Sequence, residues 1–355
     1  MYIIGIRLFR RKVTRLFGCF FIALVFTLVA CGSEDAPFVP IDRNNGGFPA
    51  EFRIGYQVLP NAELLTKERG SVEAKFPDTE IQWLPFDSGR DVNAAMIAGK
   101  IDVGLAGSVP VSVGIAQGLP YKVYFIHNII GDNEALTVTD ASEATSLSAL
   151  KGKKIAVPFG STSHFSLLSA LDQADIPPRE VNIIDMQPKE IVDAWAKGNI
   201  DGSFIWQPSL SKLVNDNGRI ITTSKELTAK GIVTADLGVV STEFSERYPD
   251  FLVHYVQLLN DSIQFYRTNP EDAAANLSQA VGLSPEETLR VMDELIWVSI
   301  DEQASNQYLG IPEAPGGISQ VLKDSAEFMV DQEALSSAPA INAYEVALYN
   351  QAVAE

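Results

Sequence analysis

Pro158-Phe159-Gly160-Ser161-Thr162-Ser163-His164-Phe165-Ser166 runs from a strand pattern into a helical one through a glycine and three hydroxyl residues. A helix starting there presents unpaired N–H groups and the positive end of its dipole, which is anion-binding chemistry. Gly107-Ser108-Val109-Pro110-Val111-Ser112 offers a second such start. Two starts facing one cleft would hold an anion with neither a metal nor an arginine; hydroxyl residues also cap helices where nothing is bound, and these residues alone leave that alternative open. Glu134 and Asp236 stand beside two further strand patterns, Glu134-Ala135-Leu136 and Asp236-Leu237-Gly238-Val239-Val240. Acids so placed would hold an ammonium group, whereas most carboxylates in a chain this acidic only solvate its surface. Tyr56, Phe159 and Trp206 fall at strand ends, where an aromatic ring walls a ligand, contacts a cation or joins the core. Catalysis is poorly supplied. The histidines are His127, His164 and His254, with His254 inside a helical stretch, and no G-x-S-x-G elbow, H-E-x-x-H pair or G-x-x-x-x-G-K-[ST] loop is present. No catalytic residue, metal site or cofactor is expected.

These residues need elements to position them. Phe52 to Tyr56 alternates as a first strand, a helix is expected from about Asn61 to Ala74, and Ile81 to Leu84 is a second strand. Asp87-Ser88-Gly89 opens a helix that stops at Gly99, and Ile101 to Ala106 continues as a strand. Ala194-Trp195-Ala196-Lys197-Gly198-Asn199-Ile200-Asp201-Gly202 echoes that helix, glycine stop and strand, and a proline follows each strand at a similar interval. The echo favours two α/β lobes. Strands are also expected at Leu136 to Val138, Lys154 to Pro158, Asn182 to Ile184 and Asp236 to Val240, with a helix from Ser163 to Gln173. The carboxyl third turns helical, over Pro249 to Tyr266, Glu271 to Ala280, Pro285 to Trp297 and Gly317 to Gln332. One lobe would then comprise residues 51–136 and 237–355 and the other 137–236. The chain crosses twice between them, and a cleft between lobes is a favoured ligand site.

The 355 residues carry 27 Lys+Arg against 45 Asp+Glu, a formal net charge of -18, which repels a phosphate backbone and excludes nucleic acid as partner. Two cysteines supply neither a closed cysteine-rich zinc site nor a disulfide framework. Arg7, Arg10, Arg11, Lys12 and Arg15 precede the uncharged apolar run Leu16 to Ala30, too short for a spanning helix and shaped like a signal peptide. Residues 1–30 are therefore expected to be a signal peptide and residues 31–50 a flexible tether. Leu28-Val29-Ala30-Cys31-Gly32 resembles the bacterial lipobox, which implies that Cys31 is lipidated and tethers an exported body to the membrane.

The chain resembles the taurine-binding proteins of ABC importers, within the aliphatic-sulfonate and nitrate-binding group of type II periplasmic binding proteins. The resemblance rests on Arg53-Ile54-Gly55-Tyr56-Gln57, Phe86-Asp87-Ser88-Gly89, Gly107-Ser108, Asn133-Glu134-Ala135-Leu136 and Ile155-Ala156-Val157-Pro158-Phe159. It continues through Ser161-Thr162-Ser163-His164-Phe165-Ser166-Leu167-Leu168, Gly198-Asn199-Ile200-Asp201-Gly202 and Trp206-Gln207-Pro208. It implies the two-lobed type II fold, α/β with a hinge of two crossings and a helical carboxyl-terminal part. It also implies a monomeric receptor that captures taurine or a similar small aminosulfonate and presents it to an ABC permease. Carried over by position, Ser108, Thr162 and neighbouring backbone N–H groups would take the sulfonate and Glu134 and Asp236 the ammonium, with Tyr56, His164 and Trp206 shaping the wall and Gly107 and Ser161 also counted among the ligand-binding residues. Gly160, Ser163 and Gly238 depart from the family pattern, and a small residue at Gly238 implies a roomier pocket. An alkanesulfonate, nitrate or pyrimidine-precursor ligand, or an enzyme on the same scaffold, are the alternatives.

Overall fold

The structure is a computed structural model and describes residues 47–354. The expected signal peptide, Cys31 and residues 31–46 of the expected tether lie outside the described residues. Phe48, the second described residue, already packs edge-on against Phe76, Phe251 and His254, and the Pro49 carbonyl accepts from the Thr79 hydroxyl at 2.8 Å.

The chain lays down β1 (Glu51–Tyr56), β2 (Glu80–Pro85), β3 (Val103–Gly107) and β4 (Tyr121–Ile129). It then crosses to a second sheet of β5 (Glu134–Thr139), β6 (Lys154–Val157), β7 (Asn182–Asp185), β8 (Gly202–Trp206) and β9 (Gly218–Thr223). It returns with β10 (Ala235–Ser241) and the short β11 (Ile296–Trp297). The strand orders are β11-β4-β10-β3-β1-β2 and β7-β6-β8-β5-β9. In each sheet three strands run parallel, β2-β1-β3 and β7-β6-β8. The strand beside each trio, β10 or β5, runs against both its neighbours and is the one that arrives across a crossing.

The echo in the sequence is a repeated piece of structure. The helix α3 (Gly89–Ile97) closes at Gly99, whose φ of 62° suits a residue without Cβ, as does the 65° of Gly198 after its later counterpart (Pro188–Ala196). Asp102 then exchanges two bonds with Arg53: its N–H donates to the Arg53 carbonyl (2.9 Å) and its Oδ2 accepts from the Arg53 N–H (2.8 Å). Asp201 does the same with Lys154, at 2.8 Å each way. Each aspartate locks the first register of the strand that leads to the cleft.

The expected helix over 61–74 is two helices, α1 (Ala62–Glu68) and α2 (Ser71–Lys75), because Gly70 takes a left-handed conformation with φ 62°. The remaining helices near the cleft are α4 (Ser108–Ala116), α5 (Thr162–Gln173), α6 (Pro188–Ala196), α7 (Ser209–Asn215) and α8 (Ser224–Thr228). β4 was absent from the sequence reading; packed between β10 and β11 and buried along almost its whole length, it lacks the alternation that marks a half-buried strand. The expected helix from Pro285 to Trp297 ends at Asp293, and Ile296 and Trp297 pair with β4 instead. The first sheet's core gathers fully buried Phe52, Phe251 and Tyr255, and the second has its own around Leu136, Val157 and Phe204. Truncating Phe52 to alanine removes a ring at the centre of three aromatic contacts, a change that costs roughly 3–5 kcal/mol in well-packed cores.

Candidate functional site

Parallel strands must leave the sheet at one end, and the helices that follow begin there, so both sheets turn helix starts toward a shared cavity of about 30 Å³. Leu59 and Pro60 ahead of α1, Gly89 at the start of α3, and Gly107 and Pro110 at the start of α4 line it from the first sheet. Ser161 and Thr162 at the start of α5, Trp206 at the end of β8 and Gln207 just after it line it from the second. The α4 and α5 starts touch: a Cβ on Gly107 would stand 2.7 Å from the Thr162 methyl carbon. Ser161 caps α5, its Oγ accepting from the His164 N–H (3.1 Å) while donating to the Pro158 carbonyl (2.6 Å). The earliest N–H groups of both helices precede the first intrahelical bond and point at the cavity end of each dipole.

Two carboxylates line the same cavity, with no Lys or Arg among the lining residues. Asp236 pairs opposite Gly107 on β10, and Glu134 pairs opposite Trp206 on β5, so each acid enters on the strand that arrives across a crossing. Hydroxyls surround Glu134. Thr162 donates to Oε2 (2.6 Å), and Ser224 (2.9 Å) and Ser166 (3.2 Å) donate to Oε1. Asp236 accepts from the Asn128 amide at 3.0 Å. Burial pushes Glu134 above the usual carboxylate range, with the hydroxyl bonds pulling it back. Burial, reinforced by the charge of Glu134, pushes Asp236 up to about 8.

Of the residues singled out in the sequence, Gly107, Glu134, Ser161, Thr162, Trp206 and Asp236 line one cavity. Three expected contacts lie elsewhere. Tyr56 sits edge-on to Trp83 under the Lys67 ammonium, because alternation along β1 sends it to the face opposite Gln57, whose amide donates to the Leu105 carbonyl beside the cavity. Ser108 is buried with its hydroxyl accepting from the Ala235 N–H at 3.2 Å. His164 stacks on Phe159 at 4.5 Å, and its Nδ1 accepts from the Gly160 N–H at 3.2 Å; burial lowers it to about 4, so it is neutral at pH 7. Nor does Gly238 open the pocket, since the Tyr124 ring lies 2.7 Å from where its Cβ would be. Gln57, Asn133 and Gln207 line the cavity and Asn128 stands behind Asp236; all four escaped the sequence reading, although Gln57, Asn133 and Gln207 lie within the matching runs quoted above.

The model of the NMT1-like family matches residues 48–282. The taurine-binding periplasmic protein of Escherichia coli (strain K12) is 30% identical over 265 residues, 73% of this chain and 80% of that protein. A Bacillus subtilis (strain 168) protein assigned as aliphatic-sulfonates-binding is 30% identical over 255 residues, 71% of this chain and 74% of its own. Among solved structures, the alkanesulfonate-binding protein SsuA from Xanthomonas axonopodis pv. citri bound to MOPS superposes with a TM-score of 0.70 at 23% identity. The match covers 85% of this chain and 98% of that one, and it shows a shared periplasmic-binding-protein fold.

Proposed function

This chain belongs to the NMT1-like family, and from that premise we propose that it is the solute-binding component of an ABC importer for sulfonates, with taurine or a similar small aminosulfonate as its ligand. The observation that carries the reading is the meeting of the α4 and α5 starts beside two buried carboxylates in one cavity. A sulfonate is anionic at any ordinary pH, so helix dipoles and N–H groups suffice to hold it without a basic side chain. Glu134 and Asp236 then select a ligand that also carries an ammonium group over a plain sulfonate, because two uncompensated carboxylates in a buried cavity are costly.

Lobes of residues 51–136 with 237–355, and of 137–236, would close on the solute and present the closed form to a membrane permease. Export through the amino-terminal signal and tethering through Cys31 complete the reading. The relatives' names describe binding rather than catalysis, in keeping with a receptor.

A thermal-shift panel on the purified protein tests it, using taurine, hypotaurine, ethanesulfonate, nitrate and a pyrimidine. Ligand at 100 times its Kd stabilises by about 2.7 kcal/mol, enough to shift Tm by a few degrees. A shift with taurine exceeding that with ethanesulfonate is expected. A shift with ethanesulfonate alone discards the aminosulfonate, and no shift with any sulfonate discards the receptor reading.

A further inference from the structure

We infer that the ligand-free cleft holds a proton on Asp236 and that the ammonium group of the ligand takes that proton's place, so that capture is an exchange of one cation for another. The inference rests on the receptor reading and concerns what sets its selectivity.

Two carboxylates facing one cavity, with no basic side chain in its lining, do not both remain ionised when nothing cationic lies between them. The donors around them decide which one is neutral. Glu134 accepts three hydroxyl hydrogen bonds, which hold its ionised form, whereas Asp236 accepts one, from Asn128. The elements packed against Asp236 place no competing charge beside it: Lys122, the basic residue of β4, pairs opposite Val240 near the far end of β10. β3 and α4 carry no titratable side chain, and His127 on β4 is buried without a hydrogen-bond partner and lowered by burial to about 3. His164 on α5 is neutral, and Glu294 near the cavity edge is ion-paired with Arg290. Among the described residues the one charge acting on Asp236 is that of Glu134, and the carboxyl is raised accordingly. Ser166, Ser224 and Asn128 thereby become positioning residues: they do not line the cavity, and they determine which acid gives up its proton.

The exchange balances. A neutral Asp236 and an ionised Glu134 meet a ligand ammonium, the complex holds two carboxylates and one ammonium, and one proton leaves to solvent. Two ligands then acquire different pH profiles. Affinity for taurine rises with pH toward the titration of the pair, by up to about tenfold per unit, because the protonated site must first ionise. Affinity for ethanesulfonate, which brings no cation, stays level over that interval and falls only at higher pH, as the second carboxylate charges and taurine levels off.

Calorimetry on the purified protein near pH 6.5, in two buffers of different ionisation enthalpy, reads the proton directly. Close to one proton released per taurine is expected, with none in Asp236→Asn. Infrared spectra of ligand-free protein near pH 6.5 supply a second readout that needs no ligand: the wild type should show protonated-carboxyl absorption beyond that of buried Glu63, and Asp236→Asn should lose that part. Indistinguishable spectra in that region overturn the proton assignment. Taurine that binds with pH-independent affinity and no proton release overturns the exchange alone, while taurine that fails to bind at every pH overturns the aminosulfonate ligand and the exchange with it, and the receptor reading falls only if ethanesulfonate fails as well.

Discussion

Glu134 and Asp236 do different work from the same cavity, since one is held by hydroxyls and the other by a single amide. Neutralising either should weaken taurine by roughly 2 to 4 kcal/mol while sparing ethanesulfonate, because only the aminosulfonate loses a buried charge partner. Titration calorimetry on Asp236→Asn and Glu134→Gln with both ligands checks this; equal losses would contradict the ammonium assignment. A third acid, Glu63, lies fully buried in α1, where its Oε1 accepts from the Tyr255 hydroxyl at 3.2 Å and Oε2 has no partner. Burial raises it to about 8. A carboxyl raised in the folded state stabilises below its unfolded value, and that contribution is lost as pH climbs through the folded one, from about 4 to about 8. The isosteric Glu63→Gln should therefore flatten the decline of Tm between pH 5 and pH 9 and raise Tm at pH 9 by at least about 2 °C.

At the scale of elements, two helix starts meet only because one of them is preceded by a glycine. Gly107→Ala places a methyl against Thr162 across the cleft, a contact that an open cleft would lack if the lobes close on the solute as proposed. It should weaken taurine and ethanesulfonate alike by about 1 to 3 kcal/mol, the usual cost of overpacking, and leave the Tm of ligand-free protein nearly unchanged. Calorimetry and thermal unfolding together measure it. The helix starts were legible as chemistry because caps, glycines and prolines are local signals, and α3, α4 and α5 begin within a residue or so of where those signals stand. β4 was not legible: its YKVYFIHNI run is buried on both faces, and periodicity reports a strand only when one face meets water. The failure over Ile296 has the same root, since a two-residue strand is decided by pairing with β4 far away in sequence, whereas the break at Gly70 is local, a glycine in the left-handed conformation.

Across the whole molecule, the cleft is bridged on its flanks by polar contacts between residues that do not line the cavity. Arg90 at the start of α3 pairs with Asp185 at the end of β7 (2.9 Å), and Gln187 reaches Asp91 at 3.3 Å. Both members of the ion pair are about half exposed, so Arg90→Ala should cost about 0.2 to 1 kcal/mol. Because the pair fastens closure and not a particular solute, the loss should be equal for taurine and ethanesulfonate and should shrink at high salt, which calorimetry at two ionic strengths checks. The sequence by itself determined the α/β character, the repeated helix, glycine and strand unit, the acidic surface and the family, because composition, capping and short matching runs are properties of neighbouring residues. Only the tertiary structure decided which of the singled-out residues share a cavity. Tyr56 and Gln57 are adjacent in the chain and face opposite ways, Asn128 and Asp236 are 108 positions apart and hydrogen-bonded, and Glu134 gathers hydroxyls from two helices. Which side chains converge depends on sheet register and on the two crossings, and those are set by long-range packing that no local window of sequence contains.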